Sequence, residues 1–191
     1  MRIITGLARG CRLETLAGED TRPTAERVKE AVCSALQFEI DGRAALDLFA
    51  GSGQMGLELL SRGAVGCVFV DKNPEAAAVI RRNLHAVAKR EPALSRNAQV
   101  LNLDAMAYIG RTKDRFDIAV LDPPYAAGLL EPALRETVKH MNPGGVIVCE
   151  SDSGLELPEQ VEDYRLDRTY RYGRVILRLY RWSDRAAESV E

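Results

Sequence analysis

Apolar residues fall into short β-rich runs that alternate with stretches of helical period from Ala44 onward. Leu46–Phe49 precedes a helix over Met55–Arg62, and Cys67–Val70 precedes one over Pro74–Lys89. In the second, Asn73 stands at a capping position and Pro74 suits the first helical turn. Ala98–Leu103 then leads into Ala105–Ile109, and Ile118–Leu121 leads through a Pro-Pro turn into Leu129–Met141. Asn142-Pro-Gly-Gly is expected to stop that helix before a fifth strand, Val146–Cys149. Strands separated by helices predict a parallel sheet covered on both faces. The unbroken apolar run Ile118-Ala-Val-Leu is what such a doubly buried strand requires.

The flanks read differently. Residues 1–16 predict two short strands around a turn near Gly10. Ala25, Val28, Val32 and Leu36 make one apolar stripe, with Arg27, Lys29 and Glu30 turned away, which predicts an amphipathic helix lying on the sheet. Tyr164–Tyr172 and Val175–Tyr180, around Gly173, predict an antiparallel hairpin. With 191 residues the expectation is a single domain: an N-terminal extension over 1–38, a core over 39–183 and a tail over 184–191.

Composition removes several classes of function. Apolar runs are far shorter than the ~20 residues of a membrane helix, and no basic-then-apolar leader follows Met1, so a cytoplasmic protein is expected. Four cysteines without a C-x-x-C pair fit reduced, mostly buried thiols. His85 and His140 are far apart and supply no metal-ligand set, so no metal is expected. Ser52 lacks the G-x-S-x-G frame of a hydrolase. The net charge is −2, but Arg2, Arg9 and Arg12 precede the first acid, and five arginines from Arg168 to Arg181 are interleaved with aromatics. Local positive charge of this kind can engage phosphates. The alternative for the C-terminal run is an ordinary half-exposed strand. Arg9 and Arg12, with Arg22, are the candidate contacts to nucleic-acid phosphates.

Gly51-Ser-Gly-Gln-Met-Gly56 fits G-x-G-x-x-G after a strand, with Asp71 placed 20 residues beyond Gly51. Glycines let backbone approach a ligand, and a carboxylate ending the next strand can accept from two ribose hydroxyls. These terms suit NAD and S-adenosylmethionine alike. Asp47, inside the first strand, favours the second, because a buried carboxylate welcomes an ammonium and repels a pyrophosphate.

Asp122-Pro123-Pro124-Tyr125 follows the fourth strand, at the edge where open α/β sheets hold ligands. Neither proline has an N–H and both have fixed φ, so the corner is stiff and its carbonyls face outward. A carboxylate and a carbonyl aimed at one point can accept both hydrogens of an exocyclic NH₂. Holding them favours a pyramidal nitrogen with its lone pair free for an electrophile. Tyr125 can stack on the face of a base.

Asp47-Leu-Phe-Ala-Gly-Ser-Gly53, Val70-Asp71, Asp104 and Asp122-Pro-Pro-Tyr125 resemble the successive motifs of class I S-adenosylmethionine-dependent methyltransferases acting on amino nitrogens. Met1-Arg-Ile-Ile-Thr-Gly6 and Thr21-Arg-Pro-Thr-Ala-Glu-Arg-Val-Lys-Glu-Ala31 narrow this. They closely resemble the bacterial RsmD family, the 16S rRNA guanine-N2 methyltransferases. The resemblance implies a Rossmann-like fold with a mostly parallel seven-stranded sheet, helices on both faces, and a small N-terminal β-hairpin plus helix. It implies that Asp47, Gly51 and Gly53 line the methionine end of the cofactor, that Asp71 holds its ribose, and that Phe49, Ala50 and Lys72 also bind it. Asp104 would accept from the adenine amino group, with Ala105 beside it. Asp122, Pro123, Pro124 and Tyr125 would receive the flipped guanine. The implied partner is 16S rRNA or the small ribosomal subunit, met by a monomer. Tyr125 departs from the Phe common in the family and is shared with adenine-N6 methyltransferases. Adenine-N6 methylation of DNA or RNA, a non-catalytic RNA-binding assembly factor and a protein-glutamine methyltransferase are the alternatives. The first lacks a DNA-recognition domain here, the second would not need four intact carboxylates, and the third typically starts its tetrad with Asn.

Overall fold

The computed structural model describes residues 1–16, 23–125 and 128–183, with residues 23–26 described as backbone. In chain order the elements are α1 (Pro23–Ala35), β1 (Ala44–Asp47), α2 (Gln54–Ser61), β2 (Gly66–Val70) and α3 (Pro74–Ala88). A 3₁₀ turn (Pro92–Ser95), β3 (Ala98–Leu101), α4 (Ala105–Ile109), β4 (Phe116–Leu121) and α5 (Leu130–Thr137) follow. The last stretch is a 3₁₀ turn (Val138–His140), β5 (Met141–Asp152), β6 (Gln160–Val161), β7 (Tyr164–Tyr172) and β8 (Val175–Trp182).

The described strands form one eight-stranded sheet in the order β3-β2-β1-β4-β5-β8-β7-β6. The first five run parallel, and β8, β7 and β6 add antiparallel. The expected seven strands become eight because Gln160 and Val161 pair with β7 at the edge, a stretch too short to show period. Alternating residues serve two cores. Ala45, Phe69, Ile118, Val120, Val148 and Leu179 meet residues of α1, α2 and α3. Leu46, Val70, Ala119, Leu121, Cys149 and Tyr180 meet residues of α4 and α5 on the other face. All four cysteines are buried and free.

Local chemistry accounts for the helix starts. Asn73 accepts from the Glu75 N–H at 2.9 Å with Pro74 following it, and Asp104 accepts from Ala107 N–H at 2.9 Å to open α4. Beyond α5, the Asn142-Pro-Gly-Gly stretch lies inside β5 instead of ahead of it. Phe116 pairs with Met141 and Ile118 with Val146, so four residues of β5 stand opposite Asp117 alone and three of them are extra, tied by Asn142 Nδ2 donating to Asp117 Oδ1 at 2.8 Å.

Two expectations at the N-terminus are corrected. The hairpin of residues 1–16 is reduced to one antiparallel bridge, Arg2 with Arg12, flanked by bonds such as Ile3 N–H to Cys11 O at 2.9 Å. The first arm spends its other donors on α2: Ile4 and Thr5 N–H on the Glu58 carboxylate, Leu7 N–H on Ser61 O and Ala8 N–H on Ser61 Oγ. Lys29 is not turned outward: it is buried, donates to Arg2 O at 2.9 Å and stands 3.8 Å from buried Glu58. Arg22 and the tail 184–191 lie outside the described residues. No helix among those described is long and apolar enough to cross a membrane.

Candidate active site

Chain direction across the sheet reverses between β1 and β4. β1 leads outward to β2 and β3, whereas β4 leads the other way to β5. Neighbouring crossovers therefore diverge at the carboxyl ends of β1 and β4 and leave a crevice. Asp47 ends β1, opposite Val120 of β4, and Asp122 follows Leu121 at the end of β4.

The loop after β1 is held from several sides. Asp47 Oδ2 accepts from Gly56 N–H at 2.9 Å, so a strand carboxylate caps the first turn of α2, whose own N-cap, Gly53, offers no side chain. Gly53 has φ +78°, and a Cβ there would stand 2.9 Å from Ile80 Cγ1; at Gly56 it would collide with the Phe69 ring. Asp71 accepts from Gly51 N–H through Oδ2 and from Asn73 N–H through Oδ1, both at 2.8 Å. Asn83, buried on α3, donates to Ser52 O and to Glu14 O at 3.0 Å, which ties the loop to the N-terminal segment.

Burial pushes the Asp47 carboxyl up to about 7, against the lowering effect of the Gly56 N–H and with a smaller push from Asp71. A carboxylate this desolvated is fully ionised at neutral pH only beside a cation. The amino-acid end of S-adenosylmethionine carries such a cation, and Asp47 and Asp71 line one cavity, so the residues fit that molecule. Asp104 is exposed, and its Oδ1 is spent capping α4.

Asp122 is exposed, Pro123 buried, and Tyr125 is 51% exposed. The Tyr125 hydroxyl donates to Glu150 Oε1 at 2.9 Å. Burial, then the charges of Glu150 and Asp122, raise the Tyr125 pKa, and burial raises that of Glu150 against the tyrosine's hydrogen bond. The tyrosine therefore stays neutral, with its ring presented to the crevice.

A cavity of about 530 Å³ joins these parts. Asp47, Phe49, Ala50, Gly51, Asp71, Lys72, Asp104 and Ala105 line it together with Asp122, Pro123, Pro124 and Tyr125. Gly53 lies behind that wall, where it lets α3 approach. Sequence reasoning missed Glu150 and the wall formed by Met1, Leu16, Val28, Lys29 and Val32. Glu150 had a visible signal, as a carboxylate directly after the apolar run Val146–Cys149. Lys29 had none, because its partners are Arg2 and Glu58 on other elements.

Arg9 and Arg12 are exposed on the N-terminal segment, away from the cavity lining. Two of the C-terminal arginines are committed internally. Arg178 is buried and donates to Ser151 Oγ at 2.7 Å and Leu155 O at 2.6 Å, and Arg181 pairs with Glu39 and Asp167. Among the described residues no cluster of His, Cys, Asp and Glu is arranged to hold a metal ion.

A family model described as conserved hypothetical protein 95 matches residues 1–181. The chain is 37% identical over 186 residues to the putative rRNA methyltransferase YlbH of Bacillus subtilis, covering 95% of this chain and 98% of that one. It is 33% identical to the ribosomal RNA small subunit methyltransferase D of Escherichia coli, covering 94% and 89%. Among solved structures, the putative methyltransferase yhhF from Escherichia coli matches with a TM-score of 0.85 at 30% identity, covering 96% of this chain and 98% of that one. With a switch-point crevice, the glycine loop and the Asp-Pro-Pro-Tyr corner in one fold, the chain belongs to the RsmD family of ribosomal RNA methyltransferases.

Proposed function

We propose that this protein transfers a methyl group from S-adenosylmethionine to the exocyclic N2 of one guanine in 16S rRNA, free or within the small subunit. It acts as a monomer in the cytoplasm. The observation that carries the reading is the single cavity in which Asp47 and Asp71 at one end face Asp122-Pro-Pro-Tyr125 at the other.

Bound S-adenosylmethionine supplies a methyl group already activated by a sulfonium. What remains for the protein is alignment, and positioning alone can be worth about 7–11 kcal/mol. Asp47 takes the ammonium and holds the amino-acid end against the loop. Asp71 accepts from the ribose, Lys72 flanks it, and Asp104 with Ala105 borders the adenine. Asp122 and a carbonyl of the Pro-Pro corner accept the two hydrogens of the guanine amine and turn its lone pair toward the methyl carbon. Tyr125 stacks on the base. As the amine nitrogen takes up the methyl group that the bound donor would supply, leaving the neutral thioether, its proton would pass to Asp122 or to solvent. Arg9, Arg12 and Arg22 contact RNA phosphates.

Incubation with methyl-labelled donor and, in parallel, total RNA, isolated small subunits or DNA, followed by digestion to nucleosides, tests the proposal. Labelled N2-methylguanosine from ribosomal RNA is expected. Methyladenosine as the sole labelled product would overturn it.

A further inference from the structure

Tyr125 and Glu150 stand between two hollows. Beyond the large cavity lies a second, of about 460 Å³, and the two share Pro123, Pro124, Tyr125, Leu129 and Glu150. An object seated at this shared wall touches the Pro-Pro corner, the tyrosine ring and the Glu150 carboxylate together.

Glu150 is placed as a counterpart of Asp122. Leu121 of β4 is in register with Cys149 of β5, so each carboxylate belongs to the residue directly after a paired position on neighbouring parallel strands. Such strands lie about 4.8 Å apart. Both carboxylates line the large cavity, and the Tyr125 hydroxyl fixes Glu150 by donating to Oε1 at 2.9 Å. Its remaining lone pairs are acceptors, and a partly buried acceptor selects for a donor.

Guanine offers two kinds of donor on one edge: the 2-amino group and, next to it, N1–H. Adenine has a lone pair at N1, which a carboxylate repels. We propose that Glu150 accepts the N1–H of the target guanine while Asp122 and the corner carbonyl hold its 2-amino group. Glu150 is then the residue that determines guanine over adenine. The inference rests on the guanine-N2 reading above and adds the atom that is read.

The test replaces the target guanosine, once mapped, by 2-aminopurine riboside in a synthetic 16S rRNA fragment. That base keeps the 2-amino group but carries a lone pair at N1. The wild-type protein should methylate it slower than guanosine by at least about a hundredfold, since a site built around a hydrogen bond rejects an analogue lacking it. Glu150→Gln still accepts from Tyr125 and can also donate to N1. It should slow methylation of guanosine, speed that of 2-aminopurine, and contract the ratio at least about tenfold. Glu150→Ala should lose guanosine activity without gaining 2-aminopurine activity. Calorimetry with S-adenosylhomocysteine should give the same affinity for all three proteins. An unchanged ratio in Glu150→Gln, or equal wild-type rates on the two bases, would overturn the inference. Failure of the guanine-N2 reading itself would look different: no N2-methylguanosine from the wild type on unmodified RNA.

Discussion

The two ends of the large cavity are built on opposite plans. At the glycine-loop end, the protein's own backbone already engages the carboxylates: Asp47 takes Gly56 N–H, Asp71 takes Gly51 and Asn73 N–H, and Asp104 takes Ala107 N–H. At the Asp-Pro-Pro-Tyr end the prolines offer no N–H, Asp122 is exposed, and half of Tyr125 faces solvent. A fixed end suits a small ligand of constant shape, whose ordering cost the protein has met in advance. An open end suits a base that must be lifted out of an RNA and returned to it.

Replacing one group at each end should therefore disturb different observables. The largest effect is expected for Asp122→Ala: turnover falls about a hundredfold, the scale of one lost charged hydrogen bond, while S-adenosylhomocysteine affinity stays within about twofold. Single-turnover kinetics beside calorimetry check this, and equal losses in both would erase the contrast. Asp47→Asn should do the reverse, weakening cofactor affinity about ten- to a hundredfold.

Proton linkage sharpens the second case. Folded and without ligand, Asp47 holds its proton to about pH 7, against an ordinary value of 3.8. Its folded pKa is raised, so the unliganded protein loses stability from this group as pH rises from the lower value to the higher. The apo Tm at pH 7.5 should rise in Asp47→Asn even as the ligand binds less well. Wild-type affinity for S-adenosylhomocysteine should increase from pH 5.5 to 7.5 as Asp47 ionises, and that slope should flatten in the variant. Calorimetry across this range reads both.

At the open end, Tyr125→Ala should cost about 1–3 kcal/mol in RNA-dependent kcat/KM, whereas Tyr125→Phe keeps the ring and should lose less, through the missing hold on Glu150 alone. The smallest change is expected at the periphery. Reversing charge at Arg9 and Arg12 together should lower RNA affinity severalfold and reduce its salt dependence, with cofactor affinity untouched. Filter binding at two salt concentrations would show it, and unchanged RNA binding would discard that surface.

How much of this was legible in the sequence follows the range of the forces involved. Local signals are enough where neighbours decide: Ala105–Ile109 has its expected bounds, Asn73 caps α3, and Asp47 is buried at the end of its strand. Errors arose where a distant partner decides. The N-terminal strands gave way because Glu58 and Ser61, more than fifty residues on, take their N–H groups. Lys29 turned inward to the same glutamate. The half-exposed alternation expected of the C-terminal arginines fails in β8, where Ile176 to Tyr180 are all buried, because Ser151 on β5 claims Arg178, while Glu39 claims Arg181. Most of the candidate site was visible because its residues stand at strand ends beside glycines and prolines. Glu150 lies inside β5 without a glycine or proline beside it, and only the register of β4 with β5 places it level with Asp122, each one residue beyond the Leu121–Cys149 pair.

A crystal structure with S-adenosylhomocysteine and guanosine puts the central claim to its most direct test. The account predicts the ligand's ammonium at Asp47, its ribose at Asp71, and the guanine 2-amino group between Asp122 and the sulfur, against the ring of Tyr125. A ligand bound elsewhere, or a crevice closed between the glycine loop and the Pro-Pro corner, would contradict it.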